Sequence, residues 1–151
     1  LVRHGFRDVM VINGHGGNIA TLEAAFSETQ MVLDTITPRP ELRTGLINWW
    51  GTPEVLKLST ELFGNALGGH ATPAEVAVTF ALYPSRTDQR PLTPEVAPLG
   101  HVFSAASFRQ LFPDGRIGSN PSLANPENGA HLLETAVAEI AGQCEAFFGD
   151  G

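Results

Sequence analysis

The spacing of apolar residues in the first third of the chain predicts a strand, a helix and a second strand. The run DVMVIN (residues 8–13) is short, apolar and rich in β-branched residues, which is typical of a buried strand in a parallel sheet. RTGLINWW (residues 43–50) predicts the second strand. Between them, residues 18–33 predict a helix capped by Asn18. Its apolar stripe comprises Leu22, Ala25, Phe26 and Leu33, with Val32 beside it.

The spacing in the rest of the chain predicts three further helices. The first covers residues 53–63 and is opened by Thr52 and Pro53. The second covers residues 72–82, where Thr72, Pro73 and Glu75 have the spacing of a capping box. Residues 84–128 predict no regular element, only an apolar patch at residues 103–112. The last helix covers residues 125–148, with one apolar face formed by Leu132, Leu133, Val137, Ile140, Cys144 and Phe147.

This order of elements, strand, helix, strand and helix, is the βαβ pattern of a layered α/β fold. A chain of 151 residues is most simply one domain, residues 1–151, with room for a sizeable core. The first residue is Leu1, and a strand follows within ten residues, so we expect that an N-terminal part of the domain precedes this sequence.

Composition narrows the classes of partner. The net charge is -7, and Lys57 is the only lysine, which argues against a nucleic-acid partner. No apolar run reaches the length of a membrane span, so we expect no membrane partner. The single cysteine, Cys144, excludes an internal disulfide framework and agrees with a reducing, cytoplasmic location.

His15 lies in NGHGGN, directly after the first predicted strand, where open α/β sheets place their ligands. An imidazole there can bind a divalent metal, and the glycines around it let the backbone approach a metal, water or substrate oxygen. The alternative is a glycine-rich strand-to-helix turn with an incidental histidine. A nucleotide-binding loop is a weaker competitor, because the Walker pattern and its lysine are absent.

His70 lies in GGHATPAE, just before the capped helix. Its functional interpretation is a general acid/base, and the alternative is a histidine packed at a helix start. Glu75 has a complete structural explanation in the capping box, although its carboxylate could also reach the site. Trp49 and Trp50 are predicted to face opposite sides of a strand, with one in the core and the other on the wall of a substrate pocket.

Three blocks in order, NGHGGN, GHATPAE followed by VAVTFALYP, and GRIGSNPSLANPENG, resemble the creatininase (creatinine amidohydrolase) family. The resemblance covers the chain to about residue 140. It implies a three-layer α/β/α fold with a mostly parallel sheet. It also implies hydrolysis of a cyclic or formamide-type amide bond of a small molecule, one or two divalent ions (Zn, Mn or Fe), and a homo-oligomer, commonly a homohexamer.

The resemblance also assigns residues. His15 matches the family's histidine metal ligand, His70 matches its proton-transfer histidine, and one of Trp49 and Trp50 matches a pocket tryptophan. We add Glu75 as a second catalytic candidate. Backbone N–H groups of Gly16, Gly17 and Asn18, at a helix N-terminus, are candidates for binding a substrate oxygen.

Two departures from the family qualify this interpretation. Gly17 stands where creatininase has a glutamate ligand, which argues against creatinine as substrate. The family's further ligands, in an E-x-H-G block and a following Asp, precede the part matched here. We therefore expect the 151-residue chain alone to bind metal weakly and to be inactive. The rival interpretation is a non-catalytic α/β binding or assembly module.

Overall fold

A computed structural model of the chain describes residues 1–87 and 90–149. Strand β1 (Asp8–Asn13) pairs with strand β2 (Arg43–Asn48) in parallel, from the pair Asp8 and Arg43 to the pair Asn13 and Asn48. Helix α1 (Ile19–Leu33) connects the two strands. The protein is thus mixed α/β, with a small parallel sheet among several helices in the chain, which confirms the predicted fold class.

In the described part of the chain four more α-helices follow: α2 (Pro53–Phe63), α3 (Pro73–Leu82), α4 (Ala105–Leu111) and α5 (Pro126–Gly149). Three of them confirm the predicted elements, whereas α4 lies in the segment for which no regular element is predicted. Ser104 begins α4, since its Oγ accepts from the Ser107 backbone N–H at 3.1 Å. Because α4 has seven residues and none of them is buried, it leaves little periodic signal in the sequence.

The prediction that β2 extends through both tryptophans is wrong. The strand ends at Asn48, and Trp49–Gly51 form a turn of 3₁₀ helix. The prediction that one tryptophan belongs to the core is also wrong, because both are only half-buried. Adjacent residues on a helical turn do not alternate between two faces as they do on a strand, so neither ring is directed fully inward.

Strand β1 is less buried than its apolar run predicts. Ile12 is 56% exposed, whereas Asn13 at the end of the strand is 3% exposed. Within the described residues, β1 pairs with β2 alone. An apolar strand is buried only where neighbouring elements cover it, and sequence pattern alone does not supply that cover.

The chain forms two compact units. Unit 1 comprises Leu1–Thr52 together with the chain from Ala136, and unit 2 comprises Pro53–Thr135. The buried apolar residues of unit 1 are Leu33, Ile47 and Ala136. Those of unit 2 are Val55, Phe63, Ala74, Ala77, Phe80, Ala97, Phe112, Ala124 and Leu132.

Helix α5 departs from its predicted face at one position and packs very closely at another. Val137, assigned to the apolar face, is 59% exposed, while its neighbour Ala136 is buried. Within unit 2, Gly129 lies so close to α3 that a Cβ there would overlap the backbone carbonyl of Ala77. The absence of a side chain at Gly129 therefore allows the backbones of the two helices to approach each other.

Candidate active site

The buried side chain of Asn13 organises the loop that follows β1. Its Oδ1 accepts from the His15 backbone N–H at 3.1 Å and from Asn18 Nδ2 at 3.1 Å. Its Nδ2 donates to the His15 carbonyl at 2.9 Å and to Asn48 Oδ1 at 2.8 Å. The amide group thus holds the peptide groups on both sides of His15 and ties them to the end of β2.

Sequence reasoning missed this pair of asparagines. A signal was present, since both strands end in the same dipeptide, Ile12-Asn13 and Ile47-Asn48. The two asparagines are register partners in the parallel sheet. A buried amide needs its hydrogen bonds satisfied, and each asparagine partly satisfies the other across the strand ends.

The side chain of His15 caps the turn of 3₁₀ helix formed by Gly16–Asn18. Its Nδ1 accepts from the Gly17 backbone N–H at 3.0 Å. An accepting Nδ1 carries no hydrogen, so the neutral ring carries its proton on Nε2. The predicted cap by the Asn18 side chain is wrong, because that side chain makes no capping bond and donates instead to Asn13.

Trp50 is the tryptophan that lies beside Gly16, in the loop that follows β1. A Cβ placed on Gly16 would lie 3.8 Å from Cζ2 of Trp50, so the indole and the loop backbone are close neighbours. Trp49 packs edge-on against Trp50, with 6.4 Å between ring centroids. His15, Gly16, Gly17, Asn18 and both tryptophans therefore belong to one part of unit 1.

His70 lies in unit 2 and is exposed. Its Nδ1 is 2.5 Å from the carbonyl oxygen of Gly115, and its ring meets Phe108 edge-on at 5.8 Å between centroids. A carbonyl oxygen can only accept, so Nδ1 is the donor and carries a hydrogen. In the neutral ring Nε2 then has the lone pair, which makes it the nitrogen that can accept a proton.

Residues 114–120, which we call the clamp loop, also hold the backbone beside His70. Ser119 Oγ donates to the His70 carbonyl at 2.6 Å, and the Ile117 backbone N–H donates to the same oxygen at 3.3 Å. Gly68 makes this approach possible, because its φ is +65° and a Cβ there would lie 2.5 Å from the Ile117 carbonyl oxygen. The fold therefore requires glycine at position 68.

Glu75 completes the predicted capping box. Its backbone N–H donates to Thr72 Oγ1 at 3.2 Å, and its Oε2 accepts from the Thr72 backbone N–H at 3.1 Å. Oε2 also accepts from the Thr72 hydroxyl at 2.8 Å. The structure thus accounts for the Glu75 carboxylate as a cap of α3, close in sequence to His70.

The clamp loop is itself fixed by the buried guanidinium of Arg116, which is 3% exposed. Nη1 donates to the Glu95 carbonyl at 2.9 Å, Nη2 to the Pro94 carbonyl at 2.8 Å, and Nε to Asp114 Oδ2 at 2.8 Å. A buried charge is tolerated when it is paired and hydrogen-bonded, as it is here.

Asp114 is expected to titrate below its ordinary pKa of 3.8, because the Arg116 backbone N–H and then its side chain donate to the carboxylate. A lowered pKa in the folded state contributes stability that is complete above 3.8 and is lost as pH falls through the lower value. Asp114→Asn should lower stability near pH 7 by about 1 to 3 kcal/mol, because the buried Arg116 guanidinium then loses its carboxylate partner.

Carboxyl ¹³C NMR across the acid range, with the Asp114 signal assigned from its loss in Asp114→Asn, measures this titration. The stability difference between the two proteins in urea unfolding should narrow as pH falls below 3.8. A carboxyl midpoint at or above that value would contradict the assignment of Arg116 as its partner.

The described residues do not by themselves fit a complete metal site. Among them, no group of three or more His, Cys, Asp and Glu side chains could hold an ion. A catalytic zinc usually takes three protein ligands. In addition, Nδ1 of His15 accepts from the Gly17 N–H. A cation bound at Nδ1 would displace that donor, and a cation bound at Nε2 would require the ring proton to move to Nδ1, which also ends the bond.

An apolar groove of about 610 Å³ lies elsewhere in unit 1, between the first residues and α1. Its lining includes Leu1, Ala25, Val32 and Ile36 and contains none of the predicted site residues. No helix in the described part of the chain combines the length and the apolar character needed to cross a membrane.

The family model described as creatininase, creatinine amidohydrolase, matches residues 1–144. The chain belongs to the creatininase family. No curated protein matches the sequence. Membership places the protein among the amidohydrolases of this family, which act on small-molecule amides and generally bind divalent metal.

Proposed function

We propose that this creatininase-family protein is a metal-dependent amidohydrolase that cleaves a cyclic amide or formamide-type C–N bond of a small molecule. The observation that carries the proposal is the family match over residues 1–144. In this reaction water adds its OH to the carbonyl carbon and its second hydrogen to the leaving nitrogen. The enzyme therefore needs a group that takes a proton from water and returns it to nitrogen.

We assign this proton transfer to His70. The Gly115 carbonyl 2.5 Å from Nδ1 supports the assignment, because it keeps a hydrogen on Nδ1 and leaves the lone pair on Nε2. The same carbonyl stabilises the ring after protonation, since an imidazolium donates through both nitrogens. Glu75 would act indirectly, by capping the helix that begins next to His70.

The loop after β1 is proposed to receive the substrate. Its support is the lack of side chains at Gly16 and Gly17 and the indole of Trp50 beside Gly16. The N–H groups of Gly17 and Asn18 already donate within the turn, to His15 Nδ1 at 3.0 Å and to the His15 carbonyl at 3.1 Å. Binding of a substrate oxygen by these two groups would require the turn to open.

His15 is proposed as one ligand of the divalent ion. The position of His15 just after the carboxyl end of a parallel strand supports this role. The hydrogen bond between Asn13 and the His15 backbone also supports it, because it fixes the position of the residue. Zinc, manganese and iron are all compatible with a histidine ligand. The homo-oligomer, the cytoplasmic location and the single-domain organisation stay predictions.

Metal analysis of the protein expressed from its native gene tests this ligand assignment. His15→Ala should lower metal affinity by at least about 10-fold, because an imidazole ligand is lost. Elemental analysis after dialysis against metal-buffered solution measures this change, and His4→Ala, an exposed histidine of the same unit, is the control. Equal metal content in the His15→Ala protein and the wild type would remove the assignment.

Hydrolysis is tested with a panel of cyclic amides and formamides, by following amine or carboxylate release. Turnover of a panel member, lost on chelation and restored by one of the three ions, is the expected result. A metal-free protein that binds panel compounds without hydrolysing them would favour the non-catalytic binding module.

A further inference from the structure

Ser119 is a fully buried serine of the clamp loop, and its hydroxyl donates a hydrogen bond to an atom outside that loop. Its exposed fraction is 0%, and its Oγ donates to the His70 carbonyl at 2.6 Å. The residues lie 49 positions apart in sequence, so the bond is a tertiary contact. It is shorter than most neutral hydroxyl–carbonyl bonds, as expected for a bond shielded from water.

The clamp loop thus holds His70 at two points. Ser119 holds the backbone carbonyl, and the Gly115 carbonyl holds ring nitrogen Nδ1 at 2.5 Å. Gly69, beside His70, donates its N–H to the Ile117 carbonyl at 2.8 Å, which adds a backbone bond to the same loop. If the backbone of His70 shifts, the distance from Nδ1 to Gly115 must change with it.

We propose that Ser119 is a positioning residue for His70: by anchoring the His70 carbonyl, it keeps Nδ1 on the Gly115 carbonyl and so keeps the basic lone pair on Nε2. This inference rests on the proposed proton-transfer role of His70. Ser119 acts through His70 and does not contact the substrate. Its effect is on the tautomer and direction of the imidazole, which a purely structural serine would not influence.

The chain offers a matched control three residues away. Ser122 Oγ donates to Asn120 Oδ1 at 2.6 Å, the same length as the Ser119 bond, and the two serines lie in the same segment. The bond of Ser122 remains within residues 120–122. Ser119→Ala and Ser122→Ala therefore each remove one serine hydrogen bond, and only the first removes an anchor of His70.

The deciding measurement is the tautomer of His70 in ¹H–¹⁵N NMR spectra of the imidazole groups, recorded at a pH where the ring is neutral. His70→Gln identifies the signal by its disappearance. We expect the Nδ1–H form in the wild type and in Ser122→Ala. In Ser119→Ala we expect a shift toward Nε2–H or toward a mixture of both forms.

Turnover gives a second measurement. Ser119→Ala should lower kcat by about 10- to 100-fold with little change in KM, since a small displacement of a proton-transferring group has effects of that size. Ser122→Ala should keep kcat near the wild-type value. A wild-type His70 in the Nε2–H form, or an Nδ1–H form that persists in Ser119→Ala, would overturn the proposal.

The same experiments distinguish an error in the proton-transfer role of His70 from an error in the positioning role of Ser119. If His70→Gln hydrolyses substrate normally, the proton-transfer role is wrong, whatever the tautomer spectra show. If His70→Gln is inactive while the two alanine variants have equal tautomers and equal kcat, the function stands and the positioning role of Ser119 is wrong.

Discussion

Replacement of His70 with glutamine is expected to lower kcat by about 10²- to 10⁴-fold, the usual contribution of a general acid/base. Glutamine is close to histidine in length, and its amide can still donate to the Gly115 carbonyl, which His70 Nδ1 approaches at 2.5 Å. It has no nitrogen that can accept a proton at neutral pH. The loss should therefore fall on the chemical step and leave KM nearly unchanged.

Steady-state kinetics on a panel compound that the wild type hydrolyses measures this effect. His131→Gln is the matched control, because His131 is an exposed histidine of the same unit and carries the same substitution. Its kcat should equal that of the wild type. Normal turnover in the His70→Gln protein would show that another group moves the proton.

The largest effect on stability is expected from Gly129→Ala. A Cβ on Gly129 would overlap the Ala77 carbonyl and approach Val78 N to 2.9 Å, and both of these neighbours are backbone atoms of α3. Backbone cannot rotate away as a side chain can, so the two helices must separate. We expect a loss of at least about 3 kcal/mol, the upper range for overpacked sites.

Urea unfolding followed by far-UV circular dichroism measures this loss, which corresponds to roughly 10 °C in Tm for a chain of this size. Gly142→Ala is the control on the same helix, because Gly142 is exposed and a Cβ there would meet nothing within 4 Å. Alanine at Gly142 should stabilise by up to about 1 kcal/mol through helix propensity. Similar stability in the two variants would contradict the close helix contact at Gly129.

The sequence alone predicts the elements whose signals are local. Strand β1 and helix α2 have the predicted bounds, because an apolar run and a Thr-Pro start are readable within a few residues. The capping box of Thr72 and Glu75 is confirmed bond by bond, since its partners are three residues apart. The ordered blocks around His15 and His70 are likewise sufficient for the family, which the match over residues 1–144 confirms.

Errors arise where a residue's environment is set by distant parts of the chain. Val137 has the helical spacing of a buried residue and is exposed, because burial depends on which element covers that face. The strand prediction extends through Trp49 and Trp50 because aromatic residues favour strands, yet the paired register ends at Asn48. Helix α4 is missed because none of its residues is buried, so no apolar stripe follows the serine cap in the sequence.

At the site, the sequence by itself determined which residues are the candidates for chemistry, His15 and His70, because residue type and spacing are local properties. Only the tertiary structure decided how they are held. Asn13 meets Asn48 across 35 positions, and the Gly115 carbonyl reaches His70 across 45. Such bonds select a tautomer and fix a backbone, and they exist only once the fold has brought the distant partners together.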